Sequence, residues 1–600
     1  MDNESNEHNL SRRIFILGAG KVALTSLILG RMFYLQVIEG RKYSLLAEKN
    51  RISWRFMPNP RGLILDCTGK EIAGNMNAFH LVVDYEARKN IKTLLSKLEK
   101  YVTLSPKQEA RVMKDIKRNP AYIPTVIKEH LTWDEVTQIE LNSTTLSGVY
   151  VASGHRRAYP NGNIFGVITG YVSTPTQKDV DEDPLLKLPG LRLGRQGMEQ
   201  VHNSQLRGEP AYEQLEVNAN LKAVRKLSSS PGQKGASLPL TIHHDLQIAC
   251  WNLLSAHHAG SCIIMDTHTG AIRAFVSHPY VDPSKFIDGM SSTHWQELQN
   301  DPLTPLLNRI TSATYPPGST TKMLVALAAL EEEVIDEHTH FHCSGAMPLG
   351  SHIFHCWKNG GHGNMALKEA LAASCDVYFY QLALKVGAGP IADMARRFGL
   401  GEKSGIDLPQ EKAGLIPDPE WKRKVKETSW YPGDTLNFAI GQGFMNTTPL
   451  QLARMTAAFA NGGHLVTPHL VTPSADFEWM EPFTIDSGHL NLVCEGLRQA
   501  IHTPRGTCFS ASAHTQGISM AGKTGSSQVK RIHLADRLAG LHRSQAKAWE
   551  DMDHALFVGY APFDSPRYAV CVVVDHGGSG GRIAAPIGVQ ALSEAIKLLG

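Results

Sequence analysis

The sequence predicts an α+β protein: a single N-terminal membrane anchor, a mixed α/β pedestal, then a larger domain of strands and helices. Three observations carry this. An apolar stretch runs from Ile14 to Leu35. A Ser/Gly/Lys-rich break with one proline, KLSSSPGQKGAS at 226–237, divides the rest of the chain. Beyond it, strand-like runs lie at both ends with helical runs between, an α+β order rather than an alternating one. The chain has 600 residues, of which 42% are hydrophobic and 20% charged, so it is neither wholly disordered nor collagen-like. Its 60 Lys and Arg against 57 Asp and Glu leave a net charge of +3, no bulk signal for nucleic acid. A slightly negative mean hydropathy excludes a multi-span membrane protein. The 9 cysteines are too few for a disulfide scaffold, and their odd number leaves at least one unpaired within the chain.

In chain order, residues 1–12 are polar and read as a cytoplasmic tail. Residues 13–35 read as the anchor, long enough to cross a bilayer as a helix. Lys21 and Arg31 must snorkel to opposite interfaces, and Tyr34 suits the interface of Arg31. A cleaved signal peptide is the alternative, but no clean small-x-small site precedes Arg41. Arg12 and Arg13 set the N-terminus in the cytoplasm and the remainder across the membrane. Residues 36–225 form the pedestal, with helices in YVTLSPKQEARVMKDIKR and LTWDEVTQIELN capped by Ser105 and Thr132. Residues 226–240 read as a linker and 241–600 as the second domain. There, SLPLTIHHDLQIACWNLLSA is a strand entering a helix, and SCIIMDTHTGAIRAFVSHP is two strands joined by a turn at Gly270. Apolar helical runs fill 319–337 and 366–387. HALFVGYAP and RYAVCVVVDHG are strands, and VQALSEAIKLL is a last helix.

Three short motifs carry chemistry. In TYPPGSTTKMLVALAAL, Pro316, Pro317 and Gly318 force a helix to start near Ser319 and run into an apolar, buried stretch. Ser319 and Lys322 then share one face. The helix N-terminus favours negative charge at the serine, and a lysine beside a buried helix can lose its proton and act as a base. SxxK alone is a weak pattern, equally read as an N-cap serine with a solvated lysine. Ser374-Cys375-Asp376 and Lys523-Thr524-Gly525 come later in the chain, each unremarkable alone. In this order the three match the SxxK, SxN-like and KTG elements of serine acyl-transferases that bind β-lactams. Small residues around the KTG let a strand approach a bound peptide closely.

The resemblance then becomes specific. PRGLILDCTGKEIAGN, HRRAYPNGNIFGVITGYV, GLRLGRQGMEQVHNSQLRGEPAYEQLEVNA, CWKNGGHGNMALKEALAASCDVYFYQLA and GDTLNFAIGQGFMNTTPLQLA resemble class B penicillin-binding proteins over nearly the full length. MFYLQVIEGRKYSLLAEKNRIS resembles their stretch leaving the anchor. Ser-Cys-Asp and GHG point to the penicillin-binding protein 2 subclass of the cell-elongation machinery. Cys67, where arginine is common, and KTGSS in place of KTGTA depart mildly from the pattern. The resemblance implies a dimerisation-type pedestal and a β-lactamase-like transpeptidase domain with a five-stranded antiparallel sheet flanked by helices. It implies a penicillin-sensitive D,D-transpeptidase of the inner membrane, with its catalytic domain in the periplasm, acting in elongation and rod-shape maintenance. Ser319 would attack the penultimate D-Ala of a stem peptide, Lys322 take the proton, and Ser374 relay one to the leaving D-Ala. Asp376 would position them, and Lys523 would help keep Lys322 deprotonated. The backbone N–H groups of Ser319 and Ser526 would form the oxyanion hole, and Thr524, Gly525 and Ser526 would bind the substrate carboxylate end. Alternatives are a D,D-carboxypeptidase or β-lactamase letting water resolve the acyl-enzyme, and a β-lactam-binding sensor or scaffold. Implied partners are stem peptides, a SEDS-type glycosyltransferase and other elongation proteins; no organic cofactor is implied.

Cys343, Cys356, His362 and Cys375 lie in a C-x12-C-x5-H-x12-C pattern between the first two motifs. Sulfur with imidazole suits tetrahedral zinc, and HCWKNGGHG is rich in turn residues. The resemblance also implies a zinc site here, with Cys343 and Cys356 standing where relatives use aspartates. His342, His352 and His355 are spare ligands. A Cys343–Cys356 disulfide and an inert, buried Cys375 remain open.

Overall fold

A computed structural model describes residues 3–600 except 35, 37–51, 58, 84, 89, 119–124, 147, 184–185, 187–189, 218–222, 288, 474–479 and 531–547. The N-terminal segment is a helix, Asn3–Phe33. From Leu17 to Tyr34 its side chains are exposed. Among the described residues no helix is long and apolar enough to cross a membrane. The side chains of Ile14, Phe15, Ile16 and Leu35, which begin and end the predicted anchor, lie outside the described set, as does most of the stretch leaving it.

The pedestal is built on the long strand Glu71–Val83, which pairs antiparallel with Val149–Ala158 along ten residues, with Thr125–Lys128 and with Ile64–Leu65. Helices Ile91–Leu98, Pro106–Arg118 and Trp133–Leu141 close its apolar end over Leu81, Val83 and Ile127. The predicted caps are present. Thr132 and Glu135 form a capping box, and the Gln108 N–H donates to Ser105 Oγ. At the other end Glu199, 0% exposed, is gripped by Arg61 and Arg157 at 2.5 and 2.6 Å.

The linker expectation is corrected. Ala223–Ser230, which includes 226–230 of the predicted linker, is a strand in a three-stranded antiparallel sheet with Ala211–Val217 and Ile52–Met57. Its lysine and serines are the solvated side chains of a sheet rather than slack chain. Leu238–Pro239 then pairs in parallel with Ile64–Leu65. Backbone bonds Leu238 N to Leu63 O, Leu240 N to Leu65 O and Cys67 N to Ile242 O, 2.8–2.9 Å, carry the pairing into the second domain.

In that domain helix α1 (His244–Leu254) precedes β1 (Gly260–Asp266) and β2 (Ile272–His278). Helices α2 (Lys322–Glu331), α3 (Leu367–Ala372), α4 (Asp376–Val386) and α5 (Pro449–Ala460) come next. Strands β3 (Ala521–Ser527), β4 (His554–Ala561) and β5 (Tyr568–Val574) and helix α6 (Ala585–Leu599) lie toward its C-terminal end. The strands form one antiparallel sheet in the order β2-β1-β5-β4-β3, with β3 at an edge. Both faces of β1, β4 and β5 are buried, which is why those strands read as largely apolar runs. Cys262, Ile264, Val570 and Val572 face α1 and α6, while Ile263, Met265, Cys571 and Val573 face the core around α2 and α5.

Two predicted helical runs are shorter than expected. The first is a 3₁₀ turn, Gly318–Thr321, leading into α2, which stops at Glu331. The second is split into α3 and α4 at Ser374, whose φ of 52° lies in the left-handed region.

Candidate active site

The 3₁₀ turn places Ser319 at the start of α2, and the Lys322 N–H donates to the Ser319 carbonyl. Two close approaches fix the turn. Gly318 N donates to Gly441 O at 2.9 Å. A methyl at Gly525 would stand 2.8 Å from Pro317 O, so only glycine there lets β3 lie against the turn.

Lys322 is wholly buried and donates to Ser374 O at 2.9 Å, Ser374 Oγ at 3.3 Å and Asp376 Oδ1 at 2.7 Å. Three N–H groups of an ammonium thus meet three acceptors, one a carboxylate. Lys523, on β3 and also wholly buried, donates to the same Ser374 Oγ at 2.7 Å. Burial, and then the neighbouring Lys322 charge, lower Lys523 to about 7. Of the two amines, Lys322 is the better paired, with a carboxylate among its acceptors. The left-handed turn at Ser374 aims its hydroxyl between the two amines, a backbone strain of the kind kept at functional sites.

Thr524 Oγ1 donates to Thr507 Oγ1 at 2.9 Å, and the Gln442 amide donates to Ser526 O at 3.1 Å. Ser526 is exposed at the open end of β3, with Gly525 buried behind it. Sequence reasoning missed Thr507 and Gln442; the GQG in GDTLNFAIGQG was the available signal for the latter. It also missed Trp357, whose backbone N–H donates to Asp376 Oδ2 at 2.9 Å and whose indole donates to Ser374 O at 3.2 Å.

The ligating atoms of Cys343, Cys356, His362 and Cys375 all lie within 4.8 Å of one another. His362 Nδ1 is 3.7 Å from Cys343 Sγ and 3.5 Å from Cys356 Sγ. Nitrogen and sulfur on one tetrahedral zinc are separated by about 3.6 Å, from bond lengths of roughly 2.0 and 2.3 Å. The donor set and its spacing fit zinc. A hydrogen bond between Cys375 and Cys356 pulls the Cys356 thiol below its usual range and pushes Cys375 above it, burial adding to the latter. All nine cysteines are free. His342 bonds Asn364 instead, and neither His352 nor His355 joins the cluster.

These contacts define a class: a serine acyl-transferase with an SxxK nucleophile turn, a hydroxyl shared by two lysines, and an edge strand of small residues. Comparison with known proteins gives the family. The penicillin binding protein transpeptidase domain matches residues 260–593, and the penicillin-binding protein dimerisation domain matches 56–240. The chain belongs to the penicillin-binding protein family, on the penicillin-binding protein 2 branch. It is 32% identical to the peptidoglycan D,D-transpeptidase MrdA of Haemophilus influenzae, over 98% of this chain and 92% of that one. It is similar to the penicillin-binding protein 2 of Helicobacter pylori solved in complex with MreC, with a TM-score of 0.79 and 27% identity, covering 91% of this chain and 99% of that one. A third similarity, with a TM-score of 0.69 and 27% identity over 97% and 98% of the two chains, is to a structure on the coordination of polymerization and crosslinking by a peptidoglycan synthase complex.

Proposed function

We infer that the protein is a serine-type peptidoglycan D,D-transpeptidase of cell elongation. The observation that carries the mechanism is the buried array joining Lys322, Ser374, Asp376 and Lys523 beside Ser319. Ser319 Oγ attacks the carbonyl carbon of the penultimate D-Ala, and its proton passes to Lys322. Lys322 reaches the neutral state when it gives a proton to Ser374 Oγ while the Ser374 proton moves to Lys523, an exchange that leaves the pair with one positive charge; the proton taken from Ser319 adds a second, opposite the oxyanion, until Ser374 passes one on. The C–N bond to the terminal D-Ala then breaks, and Ser374 delivers the proton its amine needs. The amine of a neighbouring stem peptide attacks the Ser319 ester, forming the cross-link and freeing the serine. The N–H groups of Ser319 and Ser526 hold the oxyanion, and Thr524 and Ser526 hold the terminal carboxylate. Asp376 positions both Lys322 and, through the Trp357 N–H, the loop carrying Cys356.

Cys343, Cys356, His362 and Cys375 would hold zinc in a structural role, since four protein ligands leave no open position for water. Bound there, zinc would tie that loop to the segment bearing Ser374. The exposed apolar side chains between Leu17 and Tyr34 support an anchor in the inner membrane, single-pass, with the N-terminus cytoplasmic and the catalytic domain periplasmic. Similarity to chains solved with MreC and in a peptidoglycan synthase complex supports elongation partners, including a SEDS-type glycosyltransferase, as ligands of the pedestal.

Mass spectrometry after penicillin treatment tests the chemistry. The acyl adduct is expected on Ser319 and absent in Ser319→Ala, and the purified protein should cross-link stem peptides. An adduct elsewhere, or D-Ala release without cross-links, overturns the reading.

A further inference from the structure

Behind the nucleophile turn lies a buried network outside the three motifs. Arg309, 2% exposed, is among the largest fully enclosed side chains. Its Nε donates to Asp575 Oδ2 at 2.8 Å. Its other nitrogens donate to Leu303 O at 2.6 Å and to Thr304 O and Oγ1 at 3.3 and 3.0 Å. The second Asp575 oxygen accepts the Tyr315 hydroxyl at 2.8 Å. Burial, and then the Asp575 charge, raise the Tyr315 phenol well above its ordinary range, so it stays a donor. The His554 ring stands edge-on to Tyr315 at 5.2 Å and is kept neutral by burial, which lowers it to about 4. Asp575 itself is fixed by its N–H, bonded to Ala259 O at 2.9 Å, at the end of β5.

Tyr315 is four residues before Ser319, and the chain between them is Pro316-Pro317-Gly318. Two prolines hold φ near one value, so little of a shift at Tyr315 is absorbed before Ser319. The Tyr315 backbone exchanges two bonds with Thr447, both 2.9 Å. These fix the strand direction at Tyr315 but leave a rotation about it. The phenol reaching back to Asp575 removes that rotation. The same turn carries Pro317 O against Gly525, so its tilt sets the gap between Ser319 and β3.

We propose that Asp575, held by Arg309, is a positioning residue for Ser319, acting through the Tyr315 hydroxyl and the rigid Pro-Pro-Gly turn to set the distance from nucleophile to β3. The inference rests on the acyl-enzyme reading of the site. It assigns catalytic importance to a carboxylate that touches neither substrate nor any of the three motifs.

The test is acylation of the full-length protein by a fluorescent penicillin, with the acylation rate constant separated from the dissociation constant of the non-covalent complex. Tyr315→Phe keeps the ring and removes only the hydroxyl. Asp575→Asn keeps the shape and removes the charge. Each should slow the acylation step by about 10-fold to 100-fold, the scale of a misplacement near 1 Å, with the dissociation constant changed less than about threefold. The double variant should be no slower than the worse single one, because both cut the same tether. Should Asp575→Asn unfold, Tyr315→Phe decides alone. A folded Tyr315→Phe protein that acylates at the parent rate overturns the proposal. So does a loss confined to the dissociation constant, or two losses that multiply. Failure of the parent itself to be acylated would instead sink the acyl-enzyme reading.

Discussion

The lysine pair makes acylation pH-dependent in a calculable way. Lys523 is lowered from 10.5 to about 7, first by burial and then by Lys322. That difference amounts to about 5 kcal/mol against placing a second charge in the array. Below the midpoint the pair takes up its second proton and no neutral amine remains to accept the Ser319 proton. The rate of acylation should therefore fall tenfold per pH unit below about 7, reaching about 100-fold below the plateau at pH 5. Acylation rates with a penicillin from pH 5 to 9 at constant ionic strength measure this directly, because the drug carboxylate does not titrate there. The same shift has a sign in stability. Between about 7 and 10.5 the unfolded chain binds the proton that the folded chain has lost. Stability contributed by this group thus rises with pH over that window, by about 1.4 kcal/mol per unit, and is lost as pH falls from 10.5 to about 7, below which both states hold the proton. An acylation rate flat from pH 5 to 8.5, or an acid limb centred above 9, would refute the shared-proton argument.

Particular contacts give three more expected outcomes. Ser374→Ala should slow acylation by about 10²- to 10⁴-fold through loss of the relay, and Ser374→Gly should be about 1 kcal/mol more stable than Ser374→Ala because it relieves the positive φ; equal thermal stability of the two would remove the strain argument. Protein purified without chelator should carry about one zinc per chain, falling sharply in Cys356→Ser/His362→Ala. Zinc-free protein with a mapped Cys343–Cys356 disulfide is the contrary result. Glu199→Gln strands Arg157 and Arg61 in the pedestal and should cost about 3–5 kcal/mol in a denaturant titration; a loss under about 1 kcal/mol would mean that the arginines find other partners.

The site was legible where its members are close in sequence or share a motif. Ser319 and Lys322 are three residues apart, and the Cys/His pattern concentrates donors in a short window. Strands β1, β4 and β5 are legible because burial on both faces makes them largely apolar. Long-range partners left no such trace: Tyr315 and Asp575 meet across 260 positions, and Thr524 finds Thr507 only because β3 passes the loop before it. Composition records polarity and not pairing, so the solvated Lys and Ser strand ending at Ser230 reads as slack. The 366–387 run hid its break for a related reason: helical periodicity says nothing of a single serine turned left-handed between two good helices.

The joint between the two domains has a mechanical consequence. Residues 238–242 are zipped alongside 63–67 by backbone bonds. His244 N and Thr68 N both bond to the Asp66 carboxylate just beyond. A tug between pedestal and catalytic domain finds no spare length to draw out. It loads this short ladder in shear, where the bonds share the force and resist together, rather than peeling them one at a time. A reorientation of the catalytic domain must therefore turn about this ladder or break it.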